Sequence, residues 1–247
     1  MGELNSFIAD IRETFWPRPS AEHGPLPPLL LVMTVVTGLV DAFSYLVLGH
    51  VFVANMTGNV VFLGFALAGA PGFSIAASGV ALGAFGIGAL AGGRLGAYVH
   101  RRRDVLLTAT AAVEGVLIAV SVGLVGLGPE PPSGGYRYGL IVLLSLAMGL
   151  QNAGARTVAV PDFTTTVLTQ TITGMAADST LAGGGGSRTG RRLTAVVAML
   201  IGALIGASLV VHADVVYPVA AALVLVVTVA VASRALGRSR PQWTRGN

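Results

Sequence analysis

Long apolar runs separated by short polar joints set the pattern of this chain. Residues 28–48, 73–99, 104–127, 138–157, 191–211 and 215–235 are each apolar over about 20 positions, the length at which a helix crosses a bilayer. Two segments break the pattern. Residues 57–70 are apolar but short, and 163–181 are rich in Thr; each follows an irregular stretch, Gly49–Met56 and Val158–Asp162. Near the start, Leu4, Phe7, Ile8, Ile11 and Phe15 recur at helical spacing beside Trp16 and Arg18. That spacing predicts an amphipathic helix over 3–16 lying on a membrane surface. Glu3, Asp10 and Glu13 precede any apolar core there, so the segment does not read as a signal peptide.

Composition places the chain in the same class. Hydrophobic residues are 53% and charged residues 11% of 247, with a mean hydropathy of +0.77. A soluble domain carries about 25% charged residues, so a soluble enzyme, a nucleic-acid binder and a secreted scaffold are all excluded as primary readings. There is no Cys, which removes disulfides, thiolate metal sites and Cys nucleophiles. No cofactor motif occurs, and no His, Asp or Glu spacing suits a metal. The expected partners are the lipid bilayer and a small-molecule solute, with no nucleic acid.

Every one of the 15 basic residues is Arg, and their placement decides whether the short segments cross. With eight crossings the arginines divide ten to five. With six, only Arg137 is left on one side and the other fourteen share the opposite side. An Lys/Arg excess marks the cytoplasmic face, so six spans are expected, with both termini inside and the short segments dipping in and returning. The chain then divides into an N-terminal segment 1–27, a first membrane repeat 28–127, an external loop 128–137, a second repeat 138–235 and a basic tail 236–247.

The two repeats are visible in the residues. Gly38-Leu39-Val40-Asp41-Ala42 matches Gly149-Leu150-Gln151-Asn152-Ala153 at a separation of 111, and Phe52 meets Phe163 at the same separation. Thr57-Gly58-Asn59 meets Thr169-Gln170-Thr171 after a one-residue slip, and Gly92 and Gly96 parallel Gly202 and Gly206. Three crossings per copy is an odd number, so the copies have opposite orientation, an architecture common in secondary transporters. The fold class expected is an all-α polytopic membrane protein: six transmembrane helices, two short re-entrant helices and two inverted repeats.

Gly38–Asp41 with Phe52-Val53-Ala54-Asn55-Met56-Thr57-Gly58-Asn59 resembles a signature of the YoaK-like family of small bacterial integral membrane proteins. Gly149–Ala153 and Pro161–Thr169 resemble its second-half signature, with Gln170 where a Gly is expected. The likeness covers residues 28–235. It implies a bacterial inner membrane protein and supplies no substrate.

Candidate chemistry lies within the spans. Short helices starting near Thr57 and Thr165–Thr169 would aim free N–H groups and positive dipole ends at the bilayer centre. Asn55, Thr57, Asn59, Asn152, Thr164, Thr165, Thr166 and Thr169 would line a polar site or pore there; as an alternative, Asn and Thr simply cap helix ends. Asp41 and Glu114 are carboxylates well inside spans, where acidic groups usually face a cavity or partner. Asp41 is the expected coupling site, with Glu114 second. Arg156 either pairs with one of them or extends to the interface. Gly79, Gly83, Gly88, Gly92 and Gly96 form small-residue rows on the helix 73–99, suited to packing or to a homo-oligomer seam. The function expected is a transporter or channel for a small anion or neutral polar solute, proton-coupled, and not an enzyme; a non-transporting scaffold or sensor is the alternative.

Overall fold

A computed structural model of the chain describes residues 2–17, 23–99, 102–158, 160, 168–177, 189–238 and 242–244. The described residues form nine α-helices and no strand. They are α1 (Gly2–Phe15), α2 (Leu26–Val47), α3 (Met56–Leu67), α4 (Ile75–Val99), α5 (Arg103–Leu127), α6 (Gly134–Val158), α7 (Leu168–Ala177), α8 (Thr189–His212) and α9 (Val216–Gly237), followed by a 3-10 turn over Gln242–Thr244. Six of the nine are long and apolar enough to span a membrane. They fall where the apolar runs predict them.

Local chemistry sets the ends. Pro27 and Pro28 occupy the first turn of α2, where a missing N–H costs nothing and the fixed φ suits a helix. Ser74 accepts from the Ala77 N–H at 3.2 Å, which starts α4 two residues after the apolar run begins. α6 starts at Gly134, four residues ahead of its apolar run, so Tyr136, Arg137 and Tyr138 form its first turns.

The long helices bury one face against each other and leave the other bare. Leu30, Val36, Phe43, Ile118, Leu144 and Val226 are fully buried, whereas Leu90, Val116, Leu200, Leu204, Val224 and Val231 are more than 60% exposed. The exposed apolar faces of α4, α5, α8 and α9 are what a lipid-facing surface requires and far exceed a soluble protein's patches. On α1, Ile8, Phe15 and Trp16 are likewise exposed while the helix packs on α8 and α2.

The largest interfaces are α4 with α6, α2 with α8 and α5 with α9. Glycines permit the first two. Gly88 and Gly92 of α4 rest on Leu146 and Leu150 of α6, and Gly149 rests on Phe85–Ala89 in return. Gly202 and Gly206 of α8 rest on Val35 and Leu39 of α2, and Gly38 rests on Met199–Ala203. A Cβ at any of these would run into backbone. The spacing repeats: the α2 positions recur 111 residues later in α6, and the α4 positions 114 residues later in α8. The contacts therefore pair Gly88 with Gly202 and Gly92 with Gly206, one helical turn away from the alignment that equates Gly92 and Gly96 with them. Gly96 rests instead on Thr157. By contrast, Gly79, Gly83, Gly86 and Gly93 meet nothing within 4 Å and open outward.

Candidate functional site

The irregular stretch between α2 and α3 is held by side chains chosen for it. Asp41 Oδ1 accepts from the backbone N–H groups of Val53 (3.1 Å) and Ala54 (2.9 Å), and the Asn55 amide lies beside the same carboxylate. Asp41 stands six residues before the end of α2, about 9 Å along its axis. The loop thus folds back alongside α2 to the level of Asp41 before α3 begins. Asn55 then caps α3 by accepting from the Gly58 N–H at 3.3 Å. Asn59 is fully buried and clasps the loop: its Oδ1 accepts from Phe52 N–H (2.9 Å), and its Nδ2 donates to Phe52 O (2.6 Å). Thr57 is exposed on the first turn of α3.

The upper rim of this loop is fixed just as firmly. Arg137 Nε donates to Leu48 O at 2.7 Å. Gly49 takes φ +83°, a backbone conformation that strains any side chain, and a Cβ there would meet that guanidinium. His50 Nδ1 sits 3.1 Å from Gly72 O, so the chain arrives at α4 on the level where it left α2. Rings of Tyr45, Phe52, Phe62 and Phe73 stack over the loop at centroid distances of 5.0 to 5.6 Å.

A second polar layer lies deeper. Glu114 is the twelfth of the 25 residues of α5, at mid-span, and is fully buried with no hydrogen-bond partner for either carboxyl oxygen. Thr110, one turn earlier, packs on Gly154 of α6, and its hydroxyl also lacks a partner. The antiparallel run of α5 and α6 places Glu114 at the level of Leu150–Gln151. Gln151 crosses to α2, donating to Thr37 Oγ1 (2.9 Å) and Met33 O (3.3 Å), while its own Oε1 is buried and unpartnered. The sequence reading gave Gln151 and Thr37 no role. Their signal was a polar pair inside two apolar runs, which helix spacing alone cannot bring together.

The remaining candidates scatter. Asn152 Nδ2 donates to Met148 O in its own helix at 2.9 Å. Arg156 is exposed in the last turn of α6 and makes no ion pair with Asp41 or Glu114. Thr169 is exposed on the first turn of α7. Thr164, Thr165 and Thr166 lie outside the described residues. No group of three metal-ligating side chains occurs among the described residues.

At the arginine-bearing end, Arg102 caps the start of α5 and grips Asp104 with two bonds, Nε to Oδ1 at 2.9 Å and Nη2 to Oδ2 at 2.6 Å. The hydrogen bond to Asp104 raises the Arg102 pKa above its usual value. Asp104 is buried under Gly237 of α9, and its backbone carbonyl accepts from Ser233 at 3.1 Å.

Comparison with known proteins agrees with this multi-pass architecture. Residues 29–232 match a family described as protein of unknown function (DUF1275). The chain is also similar to the UPF0700 transmembrane protein YoaK of Bacillus subtilis (strain 168), with 32% identity over 154 residues. That alignment spans 61% of this chain and 65% of the relative, slightly under two thirds of its length. No solved structure matches. With the family match running from the start of α2 almost to the end of α9, the chain belongs to the DUF1275 family of multi-pass membrane proteins.

Proposed function

We propose that this protein is a transporter or channel for a small anion or neutral polar solute, with movement coupled to a proton on a buried carboxyl. The carrying observation is Glu114: a carboxyl at mid-span, sealed from solvent and without a partner for either oxygen. A spanning helix keeps such a group at a cost of about 2.5–3.5 kcal/mol, and it normally serves an ion or proton path. Thr110 and Gln151 supply further unpartnered oxygens close to that level, to which a passing hydroxyl, amide or protonated acid can donate. Asp41 is the second coupling carboxyl, set against the loop backbone at Val53 and Ala54.

The architecture behind this reading is two inverted repeats, each with one re-entrant element, in the bacterial inner membrane with both termini cytoplasmic. The matched glycine contacts at shifts of 111 and 114 support the repeats, and the return of the chain from His50 to Gly72 supports the re-entrant element. A homo-oligomer would assemble through the open glycine row of α4. No enzymatic activity is proposed.

Uptake by proteoliposomes, screened over small anions, amino acids and weak acids, tests the reading. Flux that a pH gradient drives in wild type and that Glu114→Gln abolishes is the expected result. One observation favours a scaffold or sensor instead: Asp41 and Asn59 direct their hydrogen bonds to the loop backbone, and Asn55 caps α3. Absence of flux for every class of solute would move the assignment there.

A further inference from the structure

Between the start of α5 and the end of α9 lies a cavity of about 580 Å³ that the transport reading does not use. Three guanidinium groups line it: Arg102, Arg234 and Arg238. Asp104, buried and gripped by Arg102, balances one of them. Arg234, in the last turn of α9, and Arg238, which caps that helix four residues later, are both exposed and have no acidic partner among the described residues. Like charges at that spacing repel each other on a helix, so the pair is poised for an anion.

The opposite wall has a different character. Down α5, Val105, Thr108, Ala109 and Ala112 continue the lining from Arg102 toward the middle of the span, the Thr108 hydroxyl donating to Asp104 O at 2.7 Å. Ten residues of helix from Arg102 to Ala112 cover about 15 Å. A free phosphate would need only the arginine end. A molecule with an anionic head and a long apolar tail matches the whole length, and Ala112 opens onto the exposed, lipid-facing side of α5 beside Val113 and Val116. Basic pockets between spanning helices suit anionic head groups of this kind.

We propose that this cavity binds an anionic phospholipid, with its phosphate on Arg234 and Arg238 and an acyl chain along Val105, Ala109 and Ala112.

Retention of phosphatidylglycerol by the full-length protein in detergent, read by native mass spectrometry against phosphatidylcholine, tests the assignment. Removing both unpaired arginines (R234A with R238A) should weaken phosphatidylglycerol binding about 30-fold, at the usual worth of two surface arginines. The pair R12A with R94A, on exposed arginines outside the cavity, should leave it unchanged. Ala112→Phe, which fills the apolar end, should also weaken it, and excess inorganic phosphate should displace little of the lipid. Undiminished phosphatidylglycerol binding by R234A with R238A would overturn the site. So would equal losses in both arginine pairs, which would mean a diffuse charge effect. Full displacement by inorganic phosphate, with Ala112→Phe inert, would overturn the lipid assignment and leave a soluble phosphate site. The arginine comparison stands even if Ala112→Phe fails to fold.

Discussion

Asp41 and Glu114 are both buried carboxyls, and their surroundings separate their roles. Asp41 satisfies two backbone N–H groups of the loop, those of Val53 and Ala54. Asp41→Ala should destabilise the protein by about 2 kcal/mol or more, since each buried donor left bare costs about 1–3 kcal/mol. Asp41→Asn keeps an acceptor oxygen and should melt close to wild type in a thermal scan. If Asp41 carries the coupled proton, that same variant loses uphill uptake while downhill exchange survives. Glu114 stabilises nothing that the structure contains. Glu114→Gln and Glu114→Leu should therefore melt at or above the wild-type temperature, because neither change removes a hydrogen bond and each removes at least one buried oxygen that has no partner. A marked loss of stability in both would mean that Glu114 has a structural partner.

At the level of elements, the glycine rows make the sharpest forecast. Gly202→Leu forces a side chain into the α2 backbone at Val35 and should cost about 1–3 kcal/mol by overpacking. Gly79→Leu, on the open row, should leave the melting temperature unchanged. Detergent-resolved thermal melts of the two variants check the difference. The six long apolar helices were readable from apolar length, because a bilayer needs little more than length and apolarity, whereas the number of crossings needed the arginine placement as well. The turn-level match of the two halves was not. Sequence similarity puts Gly92 opposite Gly202, yet the contacts put Gly88 there, since close approach depends on which helix face meets the neighbour. The candidate site was half legible. Asp41, Asn55 and Asn59 stood out as polar residues in an apolar stretch, but only three dimensions reveal that they fasten one loop. Gln151 and Thr37 are 114 residues apart, and no periodicity reports such a meeting.

For the molecule as a whole, the arginine distribution fixes an expected orientation. Single Cys residues at Gly69, Gly134 and Ala213 should react with an impermeant thiol reagent from outside intact cells, and Tyr98→Cys and Leu236→Cys only after permeabilisation. External labelling at Tyr98 would invert or break the six-span topology. The interleaving of the helices carries a different consequence, for biosynthesis. α2 finds its tightest partner in α8 and α4 in α6, so the earlier half of the chain leaves the ribosome with both glycine faces unmatched. Nascent α2 must wait in lipid until nearly all of the remaining chain has been inserted. Two fragments divided at the loop 128–133 should each be degraded when made alone and should rescue one another when made together, as steady-state levels on an immunoblot would show. The mature protein is in effect a heterodimer of its own halves, with its largest helix interfaces running between them.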